Sequence, residues 1–161
     1  LRGLLLEPQD LQDIREVQPF VLTTSALPDY WVRYLGKQNA DEIPCYVFAV
    51  KPKKMEAGKR YFQGIIWVDD RDLQIVKTYG RATGLLKKGS TSLYPKFETF
   101  REQIDGKYWF PTYTRADDVL YFPEGAIRMR LIVRYQDYKQ FRSETEIKYG
   151  APVPAGEAPK P

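Results

Sequence analysis

Ala126-Ile127-Arg128-Met129-Arg130-Leu131-Ile132-Val133-Arg134-Tyr135 is the stretch that decides how this chain folds. Ile127, Met129, Leu131, Val133 and Tyr135 occupy alternate positions, with Arg128, Arg130, Ile132 and Arg134 between them. Successive side chains of a strand point to opposite faces, so the run belongs to a sheet with one apolar and one wet side. Residues 141–149 repeat the pattern: Phe141, Ile147 and Tyr149 share one face, and Arg142, Glu144, Glu146 and Lys148 take the other.

Working outward, further strand patterns cover 30–38, 43–51, 61–68, 73–79, 96–103 and 107–115. In the second of these, Tyr46, Phe48 and Val50 fall on one face. Asp69-Asp70-Arg71-Asp72 is a tight polar connection, and Asp105-Gly106 is a hairpin turn whose central residues need positive φ. Pro111 withholds a ladder donor, so its strand is expected at an edge or a bulge. Gly80, Gly84, Gly89 and a Ser/Thr cluster make 80–94 a long loop. Ahead of the sheet, Leu11, Ile14 and Val17 recur at helical spacing between Pro8 and Pro19, which predicts a short helix over 8–17. The Pro- and Ala-rich residues 150–161 read as an extended tail.

The expected architecture is mainly β: one domain over 1–149, a strongly curved antiparallel meander sheet left open as a half-barrel, with a short N-terminal helix. One short helix is too little to cover the apolar face. Closure into a barrel, further N-terminal elements or a partner would complete it. The chain opens Leu1-Arg2-Gly3-Leu4 without Met, so it is expected to be part of a longer protein.

The composition narrows the chemistry. With 12 Tyr, 8 Phe and 3 Trp, the chain suits pleated, half-buried surfaces. There is no histidine, so the commonest general base and metal ligand are missing and a Ser-His-Asp triad is impossible within the chain. No P-loop, dinucleotide fingerprint or nucleophile elbow occurs. The pairs Asp69-Asp70 and Asp117-Asp118 are expected to serve turns and local structure rather than acid–base work. Cys45 is the only cysteine and sits in a strand-like run, as a buried structural thiol would. The row Arg128, Arg130, Arg134 reads as a solvent face balanced by acidic residues on adjoining strands, since a net charge of +4 is a weak footprint for nucleic acid. A binding or scaffold module, with no catalytic residue, cofactor, metal or nucleic acid, is therefore expected.

Two stretches add a resemblance. Arg60-Tyr61-Phe62-Gln63-Gly64-Ile65-Ile66-Trp67-Val68-Asp69-Asp70-Arg71-Asp72-Leu73-Gln74-Ile75-Val76-Lys77 resembles the aromatic-x-Gly-x-Ile-Trp-Val-Asp-x-x-Asp pattern of bacterial outer-membrane lipoprotein-sorting-protein-like domains. These are relatives of the periplasmic lipoprotein carrier LolA. Phe97-Glu98-Thr99-Phe100-Arg101-Glu102-Gln103-Ile104-Asp105-Gly106-Lys107-Tyr108-Trp109-Phe110-Pro111 is similar to the next hairpin of that superfamily, and the chain looks most like the C-terminal part of acidobacterial-type members. The resemblance spans roughly residues 30–149, the strand-patterned region. It implies an unclosed, bent sheet whose concave apolar side binds lipid or lipoprotein acyl chains, each buried CH₂ contributing about 0.8 kcal/mol. Tyr46, Phe48, Trp67, Ile127, Met129, Leu131 and Val133 are the implied lining. It also implies the bacterial periplasm, peripheral to the outer membrane. The alternative expectation is a structural subunit docked on a larger assembly through an edge strand, loop 80–94 or tail 150–161.

Overall fold

The computed structural model describes residues 12–85, 95–104, 108–136 and 142–152, with side chains over 12–85, 95–103 and 109–135. Eight antiparallel strands follow one another in space in the order in which they occur in sequence. They are β1 (Tyr30–Ala40), β2 (Ile43–Pro52), β3 (Tyr61–Asp69), β4 (Ile75–Thr83), β5 (Phe97–Ile104), β6 (Tyr108–Phe122), β7 (Gly125–Gln136) and β8 (Arg142–Pro152). The sheet is a curved open meander with few helical residues, as its alternating strands and short turns predict.

Register assigns every side chain to a face. Phe48 lies opposite Ile66, Ile66 opposite Thr78, Thr78 opposite Thr99, Thr99 opposite Thr114 and Thr114 opposite Val133. Val50, Phe62, Ala82, Phe97, Ala116 and Leu131 share that face and are buried. Before β1 lie a wide helical turn (Asp13–Val17) and a 3-10 turn (Leu27–Asp29). Ile14, Val17 and Phe20 from this segment join one core cluster that runs from Tyr30 of β1 to Tyr135 of β7. The segment contacts Tyr30 of β1, Phe62 of β3 and Thr99 of β5, so it lies against the apolar face of the sheet. The central part of the face that one short helix was expected to leave open is therefore buried within the chain itself. The extra cover is aromatic: Phe20 stacks on Phe62 at 4.6 Å between centroids and tilts against Tyr30 at 5.4 Å.

Bulges shape the curl. The register shifts between Tyr34 and Gly36, between Trp67 and Val68, between Phe100 and Arg101, and between Ile127 and Met129. An extra residue on one strand bends it and increases its twist. Gly36 takes φ +116 at the first bulge, a conformation that side chains resist. Pro111 lies opposite Arg101 at the third, and the β6–β7 ladder begins only at Tyr113. Pro111 thus marks a bulge, as expected, but on an interior strand whose neighbour has not yet started to pair.

Several boundaries differ from the sequence reading. Residues 80–83 belong to β4, because Gly80 lies opposite Gly64 as a close-approach residue rather than a turn. Strand β6 runs on to Phe122, well past residue 115. Residues 150–152 extend β8, with Pro152 opposite Ile127, instead of starting the tail. Residues 8–11 of the helix, 86–94 of the loop, the Asp105-Gly106 turn, Phe141 and residues 153–161 of the tail lie outside the described residues.

The Gly64–Gly80 pair lets β3 and β4 close beneath the aromatic layer. A Cβ on Gly64 would run into the Tyr79 carbonyl and the Gly80 Cα, and one on Gly80 would also meet Phe62 Cζ at 2.9 Å. Forcing a methyl group into a packed site costs about 1–3 kcal/mol. Gly64→Ala is expected to lower the urea midpoint of unfolding by an amount equivalent to about 2 kcal/mol, within that range.

Candidate functional site

The segment over the covered face is fastened by polar contacts as well as by packing. Arg60, just before β3, donates from Nε to Asp13 Oδ1 and from Nη2 to Asp13 Oδ2, each at 2.7 Å. The two side chains are only 5% and 11% exposed, so the pair is bidentate and nearly dry. Farther along, Thr99 Oγ1 donates to the Gln18 carbonyl at 2.8 Å, and Arg101 reaches the Pro19 carbonyl at 3.5 Å. Thr99 and Thr114 share a hydrogen bond of 2.7 Å, and Thr114 and Tyr135 share one of 2.9 Å. A polar seam therefore crosses the apolar face from Gln18 to Tyr135. Gln18 Oε1 and Thr78 Oγ1, at its margin, are buried with no hydrogen-bond partner, a cost the apolar packing must exceed. Burial pushes the Tyr135 phenol up to about 12, against the lowering effect of Thr114 and Arg101.

The seven sequence-predicted lining residues do not form one surface. Leu131 and Val133 are buried in the main core cluster, which also holds Ile14, Val17 and Phe20. Ile127 and Met129 share their face by alternation and are half-buried. Tyr46 and Phe48 lie toward the opposite end of the sheet on that face, half-buried. Trp67 belongs to the other face: it pairs with Val47, and Ile66 takes the place beside Phe48. The Ile-Ile-Trp-Val run is apolar on both sides, so composition alone could not assign the indole to a face.

Tyr46 and Phe48 acquire a neighbour that sequence reasoning did not single out. Tyr34 of β1 sits 5.5 Å from the Phe48 ring and 6.2 Å from the Tyr46 ring. It is 54% exposed, and Val32, two residues earlier on the same strand, is 40% exposed. Phe48 in turn packs on the main core. The group is thus an open apolar rim continuous with the sealed interior. Lys37 places its ammonium over the Tyr46 ring at 5.1 Å, a basic group at the border of the rim. The available signal was the alternation of Val32 with Tyr34 in β1; that both stay exposed follows from β1 ending the sheet.

The second face carries an aromatic and ionic row. Trp67, Lys77, Phe100, Tyr113 and Arg134 stand opposite one another on successive strands. Trp67 Nε1 donates to Gln38 Oε1 at 3.2 Å, and Lys77 Nζ lies 4.6 Å from the Trp67 centroid. Glu98 binds Lys77 at 3.0 Å and Arg115 at 2.9 Å. Burial pushes the Glu98 carboxyl up, but these two partners outweigh it and hold it below the ordinary carboxylate range. Arg128 and Arg130 of the basic row both pair with Asp117, at 2.8 and 3.4 Å, so an acidic residue does balance them across the sheet.

The acidic pairs are engaged locally. Asp69 Oδ1 accepts from the Arg71 backbone at 2.8 Å, and Asp118 accepts from the backbones of Lys96 and Val119. Cys45 is 1% exposed, and burial raises its thiol pKa, so it is a structural residue as expected. Among the described residues no group of three or more acidic or cysteine side chains is placed to hold a metal ion. Among them, too, no helix is long and apolar enough to cross a membrane.

Comparison of the chain with protein-family models, with curated proteins and with solved structures finds no match. Function therefore rests on the geometry.

Two outcomes follow from the seam and the clamp. Asp13→Ala removes the bidentate partner of a buried guanidinium and is expected to destabilise the fold by about 3 kcal/mol, read from chemical denaturation. Paired replacement by Asp13→Leu with Arg60→Met should recover most of that loss. Because the Tyr135 pKa is higher folded than unfolded, the neutral phenol stabilises the fold fully below pH 10.0, the ordinary value. That contribution is lost as pH rises from 10.0 toward about 12. Tyr135→Phe should show a shallower alkaline decline than the parent protein in melts across that window.

Proposed function

We propose that the chain is a non-catalytic binding module that takes up acyl chains of a lipid or lipoprotein along the β1 end of its covered face. The observation that carries this reading is the Val32–Tyr34–Tyr46–Phe48 rim, exposed on one side and joined to the core on the other. An acyl chain laid there continues an existing apolar interior, and about 25 cal/mol is gained for each Å² of apolar area removed from water. Lys37 at the border suits a phosphate or carboxylate headgroup. The LolA-like sequence resemblance supports the same chemistry and, with it, work in the bacterial periplasm at the inner side of the outer membrane. Leu131 and Val133 are buried in the main core, so in this reading the rim, and not those two residues, receives the ligand.

One observation favours a second reading, an interaction subunit of a larger assembly. Trp31 is 58% exposed on the opposite face of β1, and Leu35 protrudes at the bulge. Large apolar residues on both sides of an end strand suit a protein partner. The bulge, Arg33 and Lys37 oppose addition of a regular strand, so such docking would act through side chains.

The two readings separate in one experiment. The delipidated protein is titrated with a fluorescent fatty acid and, in parallel, sized by light scattering with its source extract fraction. Saturable uptake that weakens by at least about tenfold in Val32→Ser/Tyr34→Ser, equivalent to about 1.4 kcal/mol or more, supports the carrier reading. Absence of uptake rejects it. A stoichiometric protein complex lost in Trp31→Ser/Leu35→Ser, with no uptake, supports the subunit reading.

A further inference from the structure

A cleft of about 550 Å³ opens on the second face, where the β1–β2 turn approaches the ends of β4, β5 and β6. Ala40 and Ile43 of the turn pack with Val76 and Trp109 at its floor. The volume lies in the range of small-molecule sites. It is separate from the Tyr34 rim, which lies on the other face.

The walls are aromatic. Phe100 and Tyr113 stand side by side with ring centroids 6.3 Å apart, and Trp109 lines the same space. Trp109 Nε1 is buried with no hydrogen-bond partner, whereas the Trp67 indole on the same face is satisfied by Gln38. A buried N–H without an acceptor is uncommon, and it gains from any oxygen brought to it. The lining also holds Asp41, Glu102, Gln103 and Thr112, a set of short-range hydrogen-bonding groups of both kinds.

Charge then narrows the ligand. Lys77 and Arg101 are balanced by Asp41 and Glu102. Both cations are already engaged: Lys77 by Glu98 at 3.0 Å, and Arg101 by the Trp109 and Pro19 carbonyls at 3.0 and 3.5 Å. The cleft therefore offers no surplus positive charge to an anionic ligand. It offers ring faces, whose negative π surface attracts polarised C–H groups, and a rim of donors and acceptors. A molecule with an apolar C–H face, a girdle of hydroxyls and no charge matches both.

We propose that this cleft binds a neutral oligosaccharide, with a pyranose ring stacked on Phe100 or Tyr113 and its hydroxyls meeting Gln103, Thr112 and Glu102. The site is independent of acyl binding at the β1 rim, so either can fail without the other.

The test is calorimetric titration of the intact chain with cellohexaose, maltohexaose and N-acetylchitohexaose, followed also by tryptophan fluorescence. An oligogalacturonate of similar length serves as the charged comparison. Saturable binding of at least one neutral sugar is expected. It should weaken by about tenfold or more in Phe100→Ala, the loss of one stacked ring being worth about 1–1.5 kcal/mol. Trp109→Phe should weaken it while keeping an aromatic side chain, and Tyr121→Ala, exposed and outside the cleft, should leave it unchanged. Because Phe100→Ala can cost stability, Gln103→Ala at the exposed rim provides a second reading of the same site and should also reduce affinity. No saturable binding of any of the three neutral sugars at millimolar concentration overturns the proposal. So does binding indifferent to Phe100→Ala, Trp109→Phe and Gln103→Ala, or a clear preference for the oligogalacturonate.

Discussion

The contact on which the rest of the structure depends is the bidentate bond between Arg60 and Asp13. An eight-stranded meander with one apolar face has to bury that face, and one turn of helix offers too little area. The clamp fixes where the segment before β1 enters the curl. Ile14, Val17 and Phe20 can then reach residues from β1 to β7 in one cluster. A buried ion pair adds little net stability when compared with well-packed apolar groups. Its effect here is positional: it gives the segment one seat among many apolar ones, and the Thr99 bond to the Gln18 carbonyl gives it a second.

Curvature and cover depend on each other. Four register shifts and a close Gly64–Gly80 approach let the sheet bend. The aromatic stack of Phe20, Phe62 and Phe97 then fills the space that bending creates. Where this cover ends, at the β1 end, aromatic side chains of the same face emerge into solvent as the Tyr34–Tyr46–Phe48 rim. The two candidate sites are consequences of this arrangement. One is the uncovered border of the apolar face. The other is the notch left on the opposite face where the β1–β2 turn packs against Val76, the extra residue of the β4 bulge.

Much of the fold was legible because strands declare themselves by alternation. The run from Ala126 to Tyr135 is apolar at every second position, and β7 does place those positions inward. The positions of turns and the bulge at Pro111 were readable for equally local reasons. Strand ends were less so. Gly80 carries the same letter whether it turns the chain or allows a neighbouring strand to approach, and only its position opposite Gly64 distinguishes the two. The grouping of side chains at the candidate rim was legible in part. Tyr46 and Phe48 were identified from their shared face, but Trp67 was grouped with them although it points the other way.

By itself the sequence determined the fold class, the sequential strand order that short turns enforce, the two-faced character of the sheet and the absence of histidine chemistry. Each of these depends on residue type or on neighbours a few positions apart. Tertiary structure alone decided that the N-terminal segment joins the core of the apolar face, that Leu131 and Val133 belong to that core, that the rim at Tyr34 stays open and that Phe100, Trp109 and Tyr113 line a cleft. Those outcomes depend on register between strands and on contacts such as Asp13 with Arg60, 47 residues apart in the chain. No local pattern encodes them, because a one-residue slip in pairing would move every side chain to the opposite face.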